Sequence, residues 1–271
     1  MGEAGKRWAV VFKRMMRALG VGGPTLDTVL GNPNAYPGGT LDGVVHIVGG
    51  DHAVEIDYLA LGLLTRVEVE SGDSEWSTDQ EIARTPITGR FTLGAGEKRD
   101  VPFRFAVPIE TPITHVYGQP LHGMVMGLRT DLEVTRALDK GDLDPVAIHP
   151  VAAQERILDG LSRLGFRFKR ADLERGRIYG AQQMLPFYQE IEFYPAPQYA
   201  RAFNELELTF IATPAALQVI LEVDKRGGLF TEGHDAFGRF TVDYTAAQQT
   251  DWARELDGWL QQSAQRRGLF F

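Results

Sequence analysis

The chain has 271 residues, no cysteine, and a formal net charge of −8 from 28 basic and 36 acidic side chains. An apolar share of 44% excludes a disordered polymer, and the lack of cysteine excludes disulfides, thiolate nucleophiles and Cys-based zinc or iron–sulfur sites. An acidic total argues against a general nucleic-acid binder, which needs a basic face for phosphates.

Charge is uneven along the chain. Residues 1–20 hold Lys6, Arg7, Lys13, Arg14 and Arg17 against Glu3, a local +4, so the body carries −12. Trp8, Val11, Phe12, Met15, Met16 and Leu19 recur at helical spacing, and Gly20, Gly22, Gly23 and Pro24 stop the pattern. A basic amphipathic helix is therefore predicted over 1–20. Its Lys6, Trp8, Phe12, Lys13, Arg14 and Arg17 are the candidate interaction residues, suited to an anionic lipid surface or an acidic partner. The apolar run Trp8 to Phe12 is too short for a signal sequence or a membrane span, and the expected compartment is the cytoplasm.

From Thr25 the period changes to two. Leu41, Gly43, Val45 and Ile47 share one face, as do Val101, Phe103, Phe105 and Val107. Val54, Ile56 and Tyr58 give way to Leu59, Leu61 and Leu63, a phase slip that predicts a bulge or a strand apolar on both faces. Short strands divided by Gly, Pro, Asn and Asp clusters predict an antiparallel sandwich over 21–138. The polar stretch 139–147, with Asp139, Asp142, Asp144 and Pro145, reads as a linker. Pro150 opens a helix with Ile157, Leu158, Leu161 and Leu164 on one stripe and Gly165 as its cap. Strands resume through Ile191, Leu206, Leu208, Val219 and Phe240, giving a second sandwich over 148–244. Residues 245–271 form a C-terminal helix and tail, with Thr245 and Gln248 as a capping box and Trp252, Leu256, Trp259 and Leu260 as the apolar stripe.

Catalytic groupings are sparse. The five serines include no G-x-S-x-G elbow, and Ser71, Ser74 and Ser77 read as one polar turn. The six histidines are scattered, with no H-x-x-x-H pair on a helix, and His115 and His122 could meet only across a bend. Asp139, Asp142 and Asp144 lack EF-hand spacing and read as a turn rather than a cation site. Glu190 with Glu192, and Glu205 with Glu207, share strand faces as a glycosidase dyad would. Both pairs alternate with large apolar residues, so they read as a solvent-facing surface. No phosphate-binding loop occurs. No catalytic residue, metal site or cofactor is expected.

Four stretches together resemble the bacterial sporulation-control family. They are Leu19-Gly20-Val21-Gly22-Gly23 with Thr25 to Leu30; Tyr36 to Gly43 with Val48-Gly49-Gly50 and Glu55-Ile56; Asp131-Leu132-Glu133 with Ala137 to Pro145 and His149-Pro150; and Pro186 to Phe193 with Glu205 to Leu208 and Leu221 to Arg226. Val101-Pro102-Phe103 also looks like a strand motif of arrestin-type sandwiches. The resemblance reaches to about Tyr244 and implies a mainly β chain of two tandem arrestin-like antiparallel β-sandwich domains with short helices. It also implies a non-catalytic cytoplasmic regulator, an adaptor binding other cytoplasmic proteins in sporulation or cell-division control, and it supplies no catalytic residues. A membrane-surface or cytoskeleton-linked protein using the basic helix is the alternative, a homo-oligomer a further partner expectation, and a carboxylate-based hydrolase using Glu192 or Glu207 the third reading.

Overall fold

The computed structural model describes residues 22–71, 74–134, 140–225 and 236–265. The chain divides into two compact units, Met1–Arg66 with Thr78–Thr114 and Val125–His149, and Val67–Ser77 with His115–Met124 and Pro150–Phe271.

In the first unit β1 (Thr25–Leu30), β2 (Asn34–Ala35), β3 (Thr40–Val48), β4 (Val54–Ser71, as far as Arg66), β5 (Ser74–Thr88, from Thr78), β6 (Phe91–Leu93) and β7 (Lys98–Ala106) come first. β1, β3 and β7 form one antiparallel sheet. The alternation read from the sequence holds: Leu41, Val45 and Ile47 of β3 and Phe103 and Phe105 of β7 are buried. Gly43 is required here, because a Cβ would fall 2.4 Å from the Val29 carbonyl oxygen and 2.8 Å from the Phe103 ring.

The second sheet of that unit pairs β4 with β10 (Met126–Val134), which pairs in turn with the edge strand β11 (Lys140–Pro145). The phase slip in β4 is a bulge, since Glu133 pairs with Tyr58 and Val134 with Ile56. Beyond it Leu59, Ala60, Leu61, Leu63 and Leu64 are all buried, so both faces are covered. The two sheets meet at Thr28, whose hydroxyl donates to Thr130 Oγ1 at 2.7 Å.

Two expectations are corrected here. Residues 140–145 form β11, and β12 (Ala147–Ile148) pairs parallel with β2, where the sequence reads a linker. The cause is long-range: Thr28 N–H donates to Asp142 Oδ2 at 3.0 Å, while Leu143 N–H donates to Asp142 Oδ1, and together they hold a turn-rich segment on a sheet edge. Pro145, which has no N–H to give, closes that edge strand. Ser74 and Ser77 lie on the long strand β5, not in a turn.

The second unit is built on an antiparallel sheet of β13 (Arg167–Arg175), β14 (Phe187–Tyr194), β15 (Phe203–Ala212), β16 (Leu217–Lys225) and β17 (Ala236–Val242), in that order. The end of β4 runs parallel to β13 at Glu68 and Glu174. A small hairpin joins β8 (His115–Val116) to β9 (Gln119–Pro120). The predicted helix is α1 (Ala152–Leu164); Gln154 Oε1 accepts from the Val151 N–H at 3.0 Å, and Gly165 ends it at φ 93°.

The C-terminal helix is two helices, α2 (Tyr244–Gln249) and α3 (Trp252–Gln265). Asp243, not Thr245, is the N-cap, accepting from the N–H groups of Thr245 and Ala246. Thr250, extended at φ −69° and ψ 137°, breaks the run. The expected stripe packs on its own unit. Trp252, Leu256 and Leu260 are buried, Trp252 Nε1 donates to the Ala247 carbonyl at 2.7 Å, and the Trp252 and Phe240 rings meet edge to face.

Candidate functional site

Strand register decides which carboxylates meet. Asp172 stands opposite Glu190, Glu192 opposite Glu207, and Glu207 opposite Glu222. One face of the second unit's sheet therefore gathers acidic residues from β13, β14, β15 and β16. The expectation of a plain solvent-facing surface is corrected: Glu192 is 2% exposed and Glu190, Glu205 and Glu207 are half-buried.

A cavity of about 590 Å³ opens on this face. Tyr188, Glu190, Glu207, Thr209, Ile220 and Glu222 lie along β14, β15 and β16, and Ile178, Tyr179, Phe237 and Arg239 complete its lining. The loop carrying Tyr179 is pinned by buried Gln183, whose amide donates to the carbonyls of Gly176, Leu185 and Phe187 and whose oxygen accepts from Ile178 N–H. Arg239 donates to the Tyr179 carbonyl at 2.6 Å. At Gly180, with φ 72°, a Cβ would sit 2.8 Å from the Arg239 guanidinium. Tyr179 and Phe237 stand at the mouth, 97% and 66% exposed.

Two cations of this face, Lys169 and Arg170, stand at its β13 end. Lys169 donates to Glu192 at 2.7 Å and also to Glu205, and Arg170 donates to Glu192 at 2.6 Å. Those bonds hold the Lys169 ammonium above its ordinary pKa. Glu190 and Glu207 have no hydrogen-bond or ion-pair partner among the described residues. Burial, then the charges of Glu207, Asp172, Glu174 and Glu222, pushes Glu190 up to about 8. Burial, then Glu222, Glu205, Glu192 and Asp172, pushes Glu207 up to about 7. The Tyr188 hydroxyl rises to about 12, again through burial first and neighbouring glutamates second.

Beside the cavity, oxygens of Glu68, Asp172 and Glu174 lie within 4.8 Å of one another, a donor set suited to a hard cation. Arg170 stands 3.4 Å from Asp172 and already brings positive charge there. A second, apolar cavity of about 240 Å³ lies among Tyr117, Leu121, Leu158, Phe166, Phe168 and Phe193.

Comparison with known proteins places the chain. The SpoOM protein family matches residues 12–227. The chain belongs to that family. It is 35% identical over 216 residues to the sporulation-control protein spo0M of Bacillus subtilis (strain 168), a match covering 79% of this chain and 81% of that one. It also superposes on the crystal structure of Spo0M, sporulation control protein, from Bacillus subtilis with a TM-score of 0.79 at 30% identity, covering 90% of this chain and all of the other. The fold is thus the mainly β, arrestin-like sandwich architecture that the resemblance implied.

The sequence-predicted interaction residues Lys6, Trp8, Phe12, Lys13, Arg14 and Arg17, with Asp139, lie outside the described residues. Asp142, Asp144 and Pro145 belong to β11 in the first unit. No helix among the described residues is long and apolar enough to cross a membrane. Sequence reasoning picked out Glu190 and Glu207 but passed over Glu222, Thr209, Tyr179, Phe237 and Arg239. One signal was available. Thr213 N–H donates to the Ala216 carbonyl across the turn between β15 and β16, and counting outward from Thr213–Ala216 pairs Glu207 with Glu222.

Proposed function

We propose that the chain is a cytoplasmic, non-catalytic regulator in sporulation control that acts by binding other proteins. The observation that carries this reading is the 35% identity to a protein named for sporulation control across about four-fifths of both chains. The open cavity with its aromatic mouth supports the binding half of the reading, since exposed Tyr and Phe around a concave site are typical of recognition surfaces.

The acidic site argues for binding over hydrolysis. A carboxylate hydrolase sets one ionised carboxylate, held by donors, against one protonated acid. Glu192, opposite Glu207, is held by Lys169 and Arg170, but it is buried and is not part of the cavity lining. Glu190 and Glu207, which do line the cavity, have no such donor among the described residues, and both are pushed upward together.

Complementation tests the reading. The chain, expressed in a Bacillus subtilis strain lacking its Spo0M, is expected to restore the parental count of heat-resistant spores. A strain that accumulates folded protein and keeps the mutant count contradicts it. A panel of glycosides and esters is expected to show no turnover above that of the Glu190→Gln/Glu207→Gln variant.

A further inference from the structure

We propose that the cavity beside Glu190, Glu207 and Glu222 receives a lysine or arginine side chain from a basic segment of a protein partner. The proposal rests on the reading that the chain works by binding proteins, and it names the chemistry of what is bound.

The lining asks for a donor with positive charge. Glu190 and Glu207 present carboxylates with no internal partner among the described residues. Thr209, on the same strand face, is only 5% exposed and lines the cavity. Nothing among the described residues donates to its hydroxyl or accepts from it. These are polar groups that a donor-bearing ligand can pair without breaking an internal bond. The cation on the lining, Arg239, is engaged with the Tyr179 carbonyl. An anionic ligand would meet like charge, and a neutral one would leave the carboxylates uncompensated.

The apolar part of the lining selects the kind of cation. Ile178, Ile220, Tyr179 and Phe237 surround the acidic groups, an arrangement that suits a long aliphatic stem ending in a charged head, with aromatic faces available to that head. A bare divalent ion gains nothing from such walls and would go to the oxygens of Glu68, Asp172 and Glu174 next door. The volume, about 590 Å³, exceeds that of one side chain, and the mouth is open at Tyr179 and Phe237. Acidic residues continue from the cavity through Asp172 and Glu174. A segment carrying several cations on a chain, rather than a single free amine, matches that extent of charge.

Binding of a fluorescein-labelled (Lys-Ala-Ala-Arg)₃ peptide to the full chain, followed by anisotropy at low salt and pH 8.5, tests this. Saturable binding is expected, weakened about tenfold or more in Glu190→Gln/Glu207→Gln. Less than about twofold loss is expected in Asp251→Asn/Glu255→Gln, which removes the same charge at and beside the start of α3. Phe237→Ala, which changes no charge, is expected to weaken binding about threefold or more. Melting curves verify that each variant is folded. Equal losses in the two charge variants would overturn the assignment by reducing it to net charge. Spermidine displacing the peptide at equal concentration of binding sites would assign the cavity to a free polyamine, and a requirement for magnesium or calcium would assign it to a metal; either outcome overturns the proposal. Failure of the peptide to bind alongside successful complementation removes the cavity assignment and leaves the regulatory reading standing. Binding together with failed complementation does the reverse.

Discussion

Glu207 on β15 stands directly opposite Glu192 on β14, and the two carboxylates have opposite surroundings. Glu192 is buried and bonded to Lys169 and Arg170. Glu207 is half-buried and faces Glu222 on its other side. Like charges directly across a ladder repel unless a cation intervenes, so the face is compensated at its β13 edge, while Glu190 and Glu207 have no cation paired with them among the described residues. The position of two cations divides one acidic surface into a structural part and an unsatisfied part.

The unsatisfied part should reveal itself in stability against pH. Glu190 at about 8 and Glu207 at about 7 lie above the ordinary carboxylate value near 4.3. The folded state therefore holds their protons more tightly than the unfolded one. The stability this contributes is complete below about pH 4.3 and is lost as pH rises through 7 to 8. The charged or titratable neighbours on the same face are Lys169, Arg170, Asp172, Glu174, Tyr188, Glu192, Glu205, Glu222 and Arg239. Glu190→Gln and Glu207→Gln are each expected to raise stability by about 1 kcal/mol at pH 8.5, after allowance for solvent screening, and to change it little at pH 5. Thermal melts at the two pH values check this.

Glu192 is expected to behave oppositely. Removing its carboxylate takes one partner from Lys169, which keeps Glu205, and one from Arg170, which keeps Asp172. Glu192→Ala should cost about 1–3 kcal/mol, as losing hydrogen bonds between charged groups does. Urea unfolding of the variant measures the loss, and an unchanged midpoint would refute the structural role.

Much of the frame was legible because it is local. The alternation around Phe103 and Phe105, the phase slip after Tyr58 and the Gly165 cap each depend on residues a few positions apart. Asp142 was not legible: with Gly141 beside it the segment has poor strand propensity, and its place on the sheet depends on pairing with β10 and on the bond from Thr28, 114 positions away. The cavity failed to show for a related reason. Glu190 alternating with Ile191 says which face a side chain takes, but not that Tyr179, Phe237 and Arg239 from distant segments wall that face.

Trp252 should be the anchor of the C-terminal helices. It is 4% exposed, and a Cβ at Gly160 would lie 2.8 Å from its own Cβ. Trp252→Ala is expected to lose about 3–5 kcal/mol, and Gly160→Val about 1–3 kcal/mol through overpacking. Chemical denaturation of both variants provides the values.

Asp142 is expected to act as a hydrogen-bond acceptor and not as a calcium ligand. Burial already holds its carboxyl above the usual range despite the bonds from Thr28 and Leu143. Asp142→Ala should cost about 1–3 kcal/mol by leaving the Thr28 N–H unpaired, and calcium should leave the melting temperature of the native chain unchanged. A chelator-reversible rise of several degrees would show a cation site instead.

The most direct measurement of the central claim is site-specific photo-crosslinking in sporulating cells, with a photoreactive residue in place of Phe237 at the cavity mouth or of Val29, which is 40% exposed in the first unit. The account expects a discrete adduct from the Phe237 position, lost when Glu190 and Glu207 are replaced by glutamine, whose partner peptide carries lysine or arginine at the crosslink. Adducts from Val29 with none from Phe237, or a Phe237 adduct on an acidic peptide that survives both substitutions, would contradict it.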